Sequence, residues 1–502
     1  MEIQIDRRSP VPIYLQITNG IKEMILKKKL PGGFRLPPER RLARSLGINR
    51  STVLNAYREL KADGLVDAHV GQGTTVVPQG QTLNDPETVQ PLPWRQLIRD
   101  SGSRNQDPLI RDLLELTEQR DVISLSIGLP APELLPLQIL RDIQDRLVAE
   151  LGAAVLLHSP TEGITSFRET LCQQMTIRGI RCSLSDVLVT SGSQQGLDLV
   201  IRTLINPGDE VVVEEPSYFG ALEAFRGAQA RLLGIPTDAE GMRTDILESV
   251  LARHRPKLIY TLPTFQNPSG CVLSLQRRRL LLALAYRYQV PVLEDDPYSE
   301  LRYEGDAIPS LKALDPHGFV LYLSSFSKIL FPGLRMGWLA GPRSAIRELA
   351  LNKQTVDLHS NTFGQWIIDR FIREGHLARH IRSAREEYAR RRDVMIEALS
   401  ALAPPGFTWT KPEGGFYVWC RFSGTVSPRR LMEQAAIERV SFLPGAPCFA
   451  GDVGENYLRL NFTMATPEQI REGVRRLARA LRAVETEPRN RDRTGVGTPP
   501  IV

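Results

Sequence analysis

SSFSKILFPGLRMGW, Ser324 to Trp338, sets a lysine and an arginine between two apolar runs. It extends an apolar run, Val320–Leu323, that reads as a buried strand, and then sets one lysine, Lys328, between hydroxyls and a Pro-Gly turn. Arg335 follows seven residues later, just before a second apolar run, Met336–Ala340. A lysine and an arginine in the loop between two buried strands lie where open α/β sheets bind their ligands, beyond the strand ends.

Working outward, further short β-branched runs alternate with helical segments: Asp186–Thr190, Glu210–Glu214, Lys257–Leu262 and Val290–Glu294. Such alternation predicts an α/β domain with a mostly parallel sheet. Four of its strand ends carry chemistry. VTSGSQQGL turns from strand to helix at small residues, where free N–H groups suit a phosphate. LPTFQNPSG puts Asn267 in a Pro-bracketed turn, and LEDDPYSE puts Asp295 at a strand end with Tyr298 three residues on. The opening stretch adds the lysine, hydroxyls and arginine. A pyridine aldehyde phosphate would use all of them at once: an amine for the aldehyde, a carboxylate for the ring nitrogen, donors for the phenolic oxygen, a stacking ring and a phosphate cradle.

The N-terminal sixth of the chain reads differently. Net charge is +6, and residues 1–77 hold thirteen Lys and Arg against seven Asp and Glu, while the remainder is balanced. This asymmetry is the footprint of a nucleic-acid-binding module on a neutral body. Ile17, Ile21, Met24 and Ile25 form one helical stripe. A short helix is expected from Glu39 to Gly47. A third runs from Arg50 to Ala62, with Asn49 as N-cap and Val53, Tyr57 and Leu60 on one face. A hairpin around Gly71–Gly73 completes a winged helix-turn-helix, whose third helix presents its first residues to the major groove. Here those are Asn49, Arg50, Ser51 and Thr52, an arginine able to grip guanine among short hydrogen-bonding side chains.

Residues 78–107 read as an inter-domain linker with a short helix near Trp94–Arg99, and 486–502 as a disordered tail. No apolar run is long enough to span a bilayer, and no signal peptide is visible. Cys172, Cys182, Cys271, Cys420 and Cys448 lack metal-ligand or C-x-x-C spacing, so free buried thiols in a reducing cytoplasm are expected and no metal is called for.

Two resemblances add to this reading. The text from PIYLQITNG to HVGQGTTVV resembles the DNA-binding domain of GntR-type bacterial repressors. The likeness implies that Arg40, Arg50, Ser51, Thr52 and the wing glycine Gly71 approach an operator, although Leu54 stands where some relatives carry a basic residue. Residues of about 108–485 resemble fold-type-I, class I aminotransferases, nearest the aromatic and aminoadipate type, with a smaller C-terminal α+β subdomain. That likeness implies pyridoxal 5'-phosphate held as an internal aldimine by Lys328, with Asp295 on the ring nitrogen. It also implies Asn267 and Tyr298 on the phenolic oxygen and Tyr218 stacked on the ring. Ser193, Gln194, Ser325, Ser327 and Arg335 would hold the phosphate, and Arg459, in NYLRLNFT, a substrate carboxylate. His158 departs from the pattern, standing where relatives usually carry a tyrosine that reaches the partner subunit's cofactor. The whole chain resembles the MocR/GabR regulators. This implies a homodimeric, DNA-binding transcription regulator that senses pyridoxal phosphate or an amino compound through aldimine chemistry at Lys328. An active aminotransferase that uses its DNA-binding domain for autoregulation is the alternative, and a cofactor-free dimerisation scaffold a third reading.

Overall fold

The computed structural model describes residues 3, 5–7, 9, 11–27, 29–69, 73–77, 92, 121–423, 426–451 and 453–486. The chain divides into two compact units. The linker expected over 78–107, apart from Leu92, lies outside the described residues, as do its short helix and residues 487–502 of the expected tail. Thr486 itself still belongs to the last helix.

In the N-terminal unit α1 (Ile13–Leu26) buries Ile17, Ile21 and Ile25 of the expected stripe, while Met24 packs half-buried against the same core. The second helix, α2 (Glu39–Leu46), stops at Gly47, whose φ of +63° suits a residue without Cβ. The third, α3 (Arg50–Ala62), buries Val53, Ala56, Tyr57 and Leu60. Its N-cap Asn49 accepts from the Ser51 amide at 3.2 Å, satisfying one of the free N–H groups of the first turn. The Tyr57 hydroxyl donates to the Pro37 carbonyl at 2.7 Å, tying α3 to the entry of α2. Strands β1 (Val66–His69) and β2 (Gly73–Val76) pair antiparallel as the wing. Gly71, named for DNA contact, lies outside the described residues.

In the large unit a short β3 (Ile123–Ser124) precedes the main sheet. That sheet comprises β4 (Val187–Thr190), β5 (Glu210–Glu215), β6 (Arg231–Asp238), β7 (Gly241–Met242), β8 (Leu258–Thr261), β9 (Val292–Asp295), β10 (Val320–Ser325) and β11 (Gly337–Ala340). Its order is β4-β11-β10-β9-β8-β5-β6-β7. All six expected runs are strands, and β4, β8, β9, β10 and β11 are buried throughout. Burial on both faces is why they read as largely apolar runs, except in β9, where Glu294 and Asp295 are buried as well. Strands β10, β9, β8, β5 and β6 are mutually parallel. The run Met336–Ala340 departs from the parallel expectation, because β11 turns straight back from β10 and lies antiparallel to both neighbours.

The C-terminal part carries β12 (Thr408–Trp409), β13 (Tyr417–Arg421), β14 (Val440–Ser441), β15 (Leu443–Pro444) and β16 (Tyr457–Asn461). Four of them form an antiparallel sheet in the order β12-β13-β16-β15. Strand β14 pairs in parallel with β3, fastening the start of the large unit to its end. The helix His376–Leu402 packs along Pro467–Thr486 behind these strands. This is the smaller α+β subdomain expected.

Candidate functional site: a lysine pocket at the strand ends

The β10–β11 connection is a tight loop. Ser325 accepts from the Ser327 amide and donates to the Met336 carbonyl, both at 3.0 Å, so its hydroxyl closes the loop on itself. Lys328 leaves this loop from a short helical turn, Phe326–Lys328. Its Nζ donates to the Gly128 carbonyl at 2.6 Å. Arg335 follows with φ +55°. Two glycines let a second loop, the β4 exit, press against this one. A Cβ on Gly192 (φ +89°) would stand 2.6 Å from an Arg335 nitrogen, and one on Gly337 would stand 2.8 Å from the Ser193 amide nitrogen. Beyond Gly192 the helix Ser193–Leu204 begins. Its free N–H groups, the Ser325 and Ser327 hydroxyls and the Arg335 guanidinium converge as a phosphate cradle requires.

Every residue named for the cofactor, together with Arg459, lines one cavity of about 310 Å³. At its floor Asp295 is 5% exposed. One carboxylate oxygen accepts from the Tyr260 hydroxyl at 2.8 Å, and the other has no partner. Burial, partly opposed by that hydroxyl, pushes its carboxyl up to about 7. A buried carboxylate with one unmatched oxygen is suited to a cationic partner such as a pyridinium N–H. Burial also lowers Lys328 from the ordinary lysine value; Tyr417 opposes this, while Arg459 and Arg335 reinforce it. An amine so placed is a better nucleophile at neutral pH.

On the other wall Arg459 is 4% exposed. It donates to Asn267 Oδ1 at 2.8 Å and to the Ser126 carbonyl at 2.7 Å. Its Nε has no partner. Tyr218 stands just before the helix Phe219–Gly227, and its hydroxyl donates to Gln194 at 3.4 Å. The Tyr298 hydroxyl donates to that of Tyr417 at 3.1 Å.

Tyr417 was not singled out in the sequence. Its ring lies 3.9 Å under the Arg459 guanidinium carbon. A Cβ on Gly128 would come within 1.9 Å of its hydroxyl, so the glycine makes room for it. Tyr260, which holds Asp295, and the segment Ser126–Gly128, which meets both Arg459 and Lys328, were also missed. A tyrosine inside an apolar strand carries no signal of its own, and Ser126–Gly128 lies in the stretch DVISLSIGLPAPELLP, which supports the aminotransferase resemblance without assigning these residues a role. His158 is exposed, and its Nδ1 lies 2.8 Å from His359 Nε2.

In the N-terminal unit Arg40, Asn49, Arg50 and Ser51 are exposed and Thr52 is half-buried. Asn49, Arg50, Ser51 and Thr52 lie at the start of α3, whereas Arg40 lies in the first turn of α2. Arg50 is engaged by Glu39, Nε to Oε2 at 2.9 Å. Arg41 and Arg44 on α2 are exposed as well. Among the described residues no group of His, Cys, Asp and Glu is arranged to hold a metal ion, and no helix is long and apolar enough to cross a membrane.

Residues 120–477 match the family model for class I and II aminotransferases, and residues 13–76 that for the gntR family of bacterial regulatory proteins. The chain belongs to the class I and II aminotransferases and carries a gntR-type head. Over 379 residues it is 44% identical to aromatic-amino-acid aminotransferase 1 of Thermococcus litoralis, covering 74% of this chain and 91% of that protein. An uncharacterized HTH-type transcriptional regulator of Bacillus subtilis, YisV, is 32% identical over 481 residues, 95% of this chain and 98% of its own. The structure of the α-aminoadipate aminotransferase of Thermus thermophilus, complexed with N-(5'-phosphopyridoxyl)-L-leucine, superposes with a TM-score of 0.73 at 37% identity. It covers 78% of this chain and 99% of that one. The two-part build of this aminotransferase-family protein is that of the MocR-type regulators, and the family implies pyridoxal phosphate as cofactor.

Proposed function

We propose that the protein is a cytoplasmic transcription regulator that binds operator DNA through α3. It holds pyridoxal phosphate at Lys328 and responds to an amino acid or amine that reacts there. The observation that carries this is one chain with a basic head and a lysine pocket whose buried carboxylate has an unmatched oxygen. When bound, the cofactor supplies an aldehyde that captures amines and a ring that withdraws electrons. Lys328 supplies the competing amine and, set free, can carry a proton. Asp295 would keep the ring nitrogen protonated, and Tyr218 would stack on the ring. Asn267 and Tyr298 serve the phenolic oxygen, and the Ser193–Gln194, Ser325–Ser327 and Arg335 group fixes the phosphate. Arg459, held flat over Tyr417, receives an α-carboxylate. A ligand that favours one arrangement of the large unit by a few kcal/mol suffices to change DNA affinity.

A second reading, a working aminotransferase, is favoured by the same pocket, since Lys328, Asp295 and Arg459 all line it. Mobility shift of promoter DNA with full-length protein, cofactor and a panel of amino acids separates the two. The regulator reading expects DNA affinity to follow the amino compound. Affinity indifferent to cofactor and amino compounds, with steady production of oxo acid, overturns it. A homodimer belongs to this reading, supported by the exposed Leu156 and Leu157 beside His158, and sedimentation velocity tests it.

A further inference from the structure

Two cysteines ten positions apart, without any recognised spacing, are brought together by the fold. Cys172 lies on the helix Thr165–Ile177. After that helix Gly179 takes φ +79°, and the Ile180 amide bonds back to the Met175 carbonyl at 2.9 Å, reversing the chain. Ile180 is fully buried, which fixes the return. Arg168, one helical turn before Cys172 and on the same face, donates to the Leu184 carbonyl at 2.8 Å. Cys182 lies two residues before Leu184, so it returns alongside Cys172. Ser183 holds this return by donating to the Asp186 carboxylate through both its amide and its hydroxyl, each at 2.8 Å. The two thiols act on each other, Cys182 lowering Cys172 and Cys172 raising Cys182, and both residues are half-buried. Cys420 and Cys448, by contrast, are buried. Cys271 accepts a hydrogen bond from Ser269 at 2.9 Å, and burial pushes its thiol up to about 12.

We propose that Cys172 and Cys182 form a reversible dithiol–disulfide site, closed by a small-molecule disulfide such as oxidised glutathione. Cys172 is the attacking thiol. The neighbouring Cys182 thiol and the Arg168 guanidinium together hold it below the ordinary cysteine value despite burial. Its thiolate attacks one glutathione sulfur; a Cys172–glutathione bond forms, the glutathione S–S bond breaks, and one glutathione thiolate leaves. Cys182 then gives up its proton and attacks the Cys172 sulfur, expelling the second glutathione. Two protein thiols are oxidised and one glutathione disulfide is reduced to two thiols. The product ties the helix Thr165–Ile177 to the chain entering β4, the strand that ends at the Ser191–Ser193 turn of the pocket. In a reducing cytoplasm such a bond is transient, as sensing disulfides are.

Arg178 and Arg181 lie between the two cysteines, so trypsin places them in different peptides, and a disulfide between them joins two peptides. Full-length protein loaded with pyridoxal phosphate is treated with oxidised glutathione, digested without reductant and mapped by mass spectrometry. The expected product is a Cys172–Cys182 cross-linked pair, lost on adding dithiothreitol, with Cys271 unmodified. In Cys182→Ser the reaction is expected to stop at a glutathione adduct on Cys172. Retention of both free thiols in the wild-type chain, or a lasting wild-type adduct on Cys172 without the cross-link, overturns the proposal. Far-UV circular dichroism confirms that the variant is folded, and the wild-type map decides the matter without it.

Discussion

Lys328 and Asp295 are both buried ionisable groups whose charges are expensive until something compensates them. Lys328→Ala removes the amine, and the expected outcome is loss of the visible absorption band that wild-type protein shows on adding pyridoxal phosphate. Asp295 makes a second test through pH. Its carboxyl titrates near 7 in the folded chain against about 3.9 unfolded. A raised folded value gives stability that is complete below the unfolded value and lost as pH rises to the folded one. Cofactor-free protein is therefore expected to lose stability between about pH 4 and 7, by at most about 4 kcal/mol from this group. Urea melts at the two ends of that window measure it, and Asp295→Asn should flatten the difference. Gly128→Ala would drive a methyl into the Tyr417 hydroxyl. A loss of roughly 1–3 kcal/mol is expected from overpacking, measured by the same melts.

At the scale of elements, the two interlocked loops carry the next expectation. Gly192 has φ +89° and no room for a Cβ beside Arg335. Gly192→Ala should weaken cofactor binding at least tenfold, read by titrating the absorption band, while the gntR-type head keeps its fold. Much of this level was legible in advance. The strands with both faces buried announced themselves as apolar runs, and the three head helices through Asn49, Gly47 and their stripes. Strand β6 was not legible, because Gly234 and Pro236 interrupt it and much of it is only partly buried. The reversed direction of β11 was hidden too, since an apolar run carries no information about which way it pairs. The site was readable where a side chain has a distinctive chemistry at a strand end, as with Lys328, Asp295 and Asn267. It was unreadable where a residue acts through its backbone or its shape, as with Ser126, Gly128 and Tyr417.

For the whole molecule the charge distribution sets the behaviour. The excess of six positive charges lies within residues 1–77, so operator affinity should fall steeply with salt through release of counterions. Arg50→Gln is expected to weaken operator binding by roughly 1–3 kcal/mol if it reads a base. Fluorescence anisotropy across a salt series checks this. A change confined to the salt slope, uniform over sequences, would mark Arg50 as a phosphate contact instead. The head's cations leave the large unit electrically balanced, so its ligand response should be far less dependent on ionic strength than DNA binding is.

The β10–β11 hairpin holds Lys328 and Arg335 in one short connection, flanked by the Ser325–Gly337 register pair. Covalent anchor and phosphate clamp therefore share a single local opening event. In amide hydrogen exchange the cofactor should slow residues 326–336 and the start of the Ser193 helix together, as one cooperative patch. The lifetime of bound cofactor then has a floor set by how often that hairpin breathes, however tight each separate contact is.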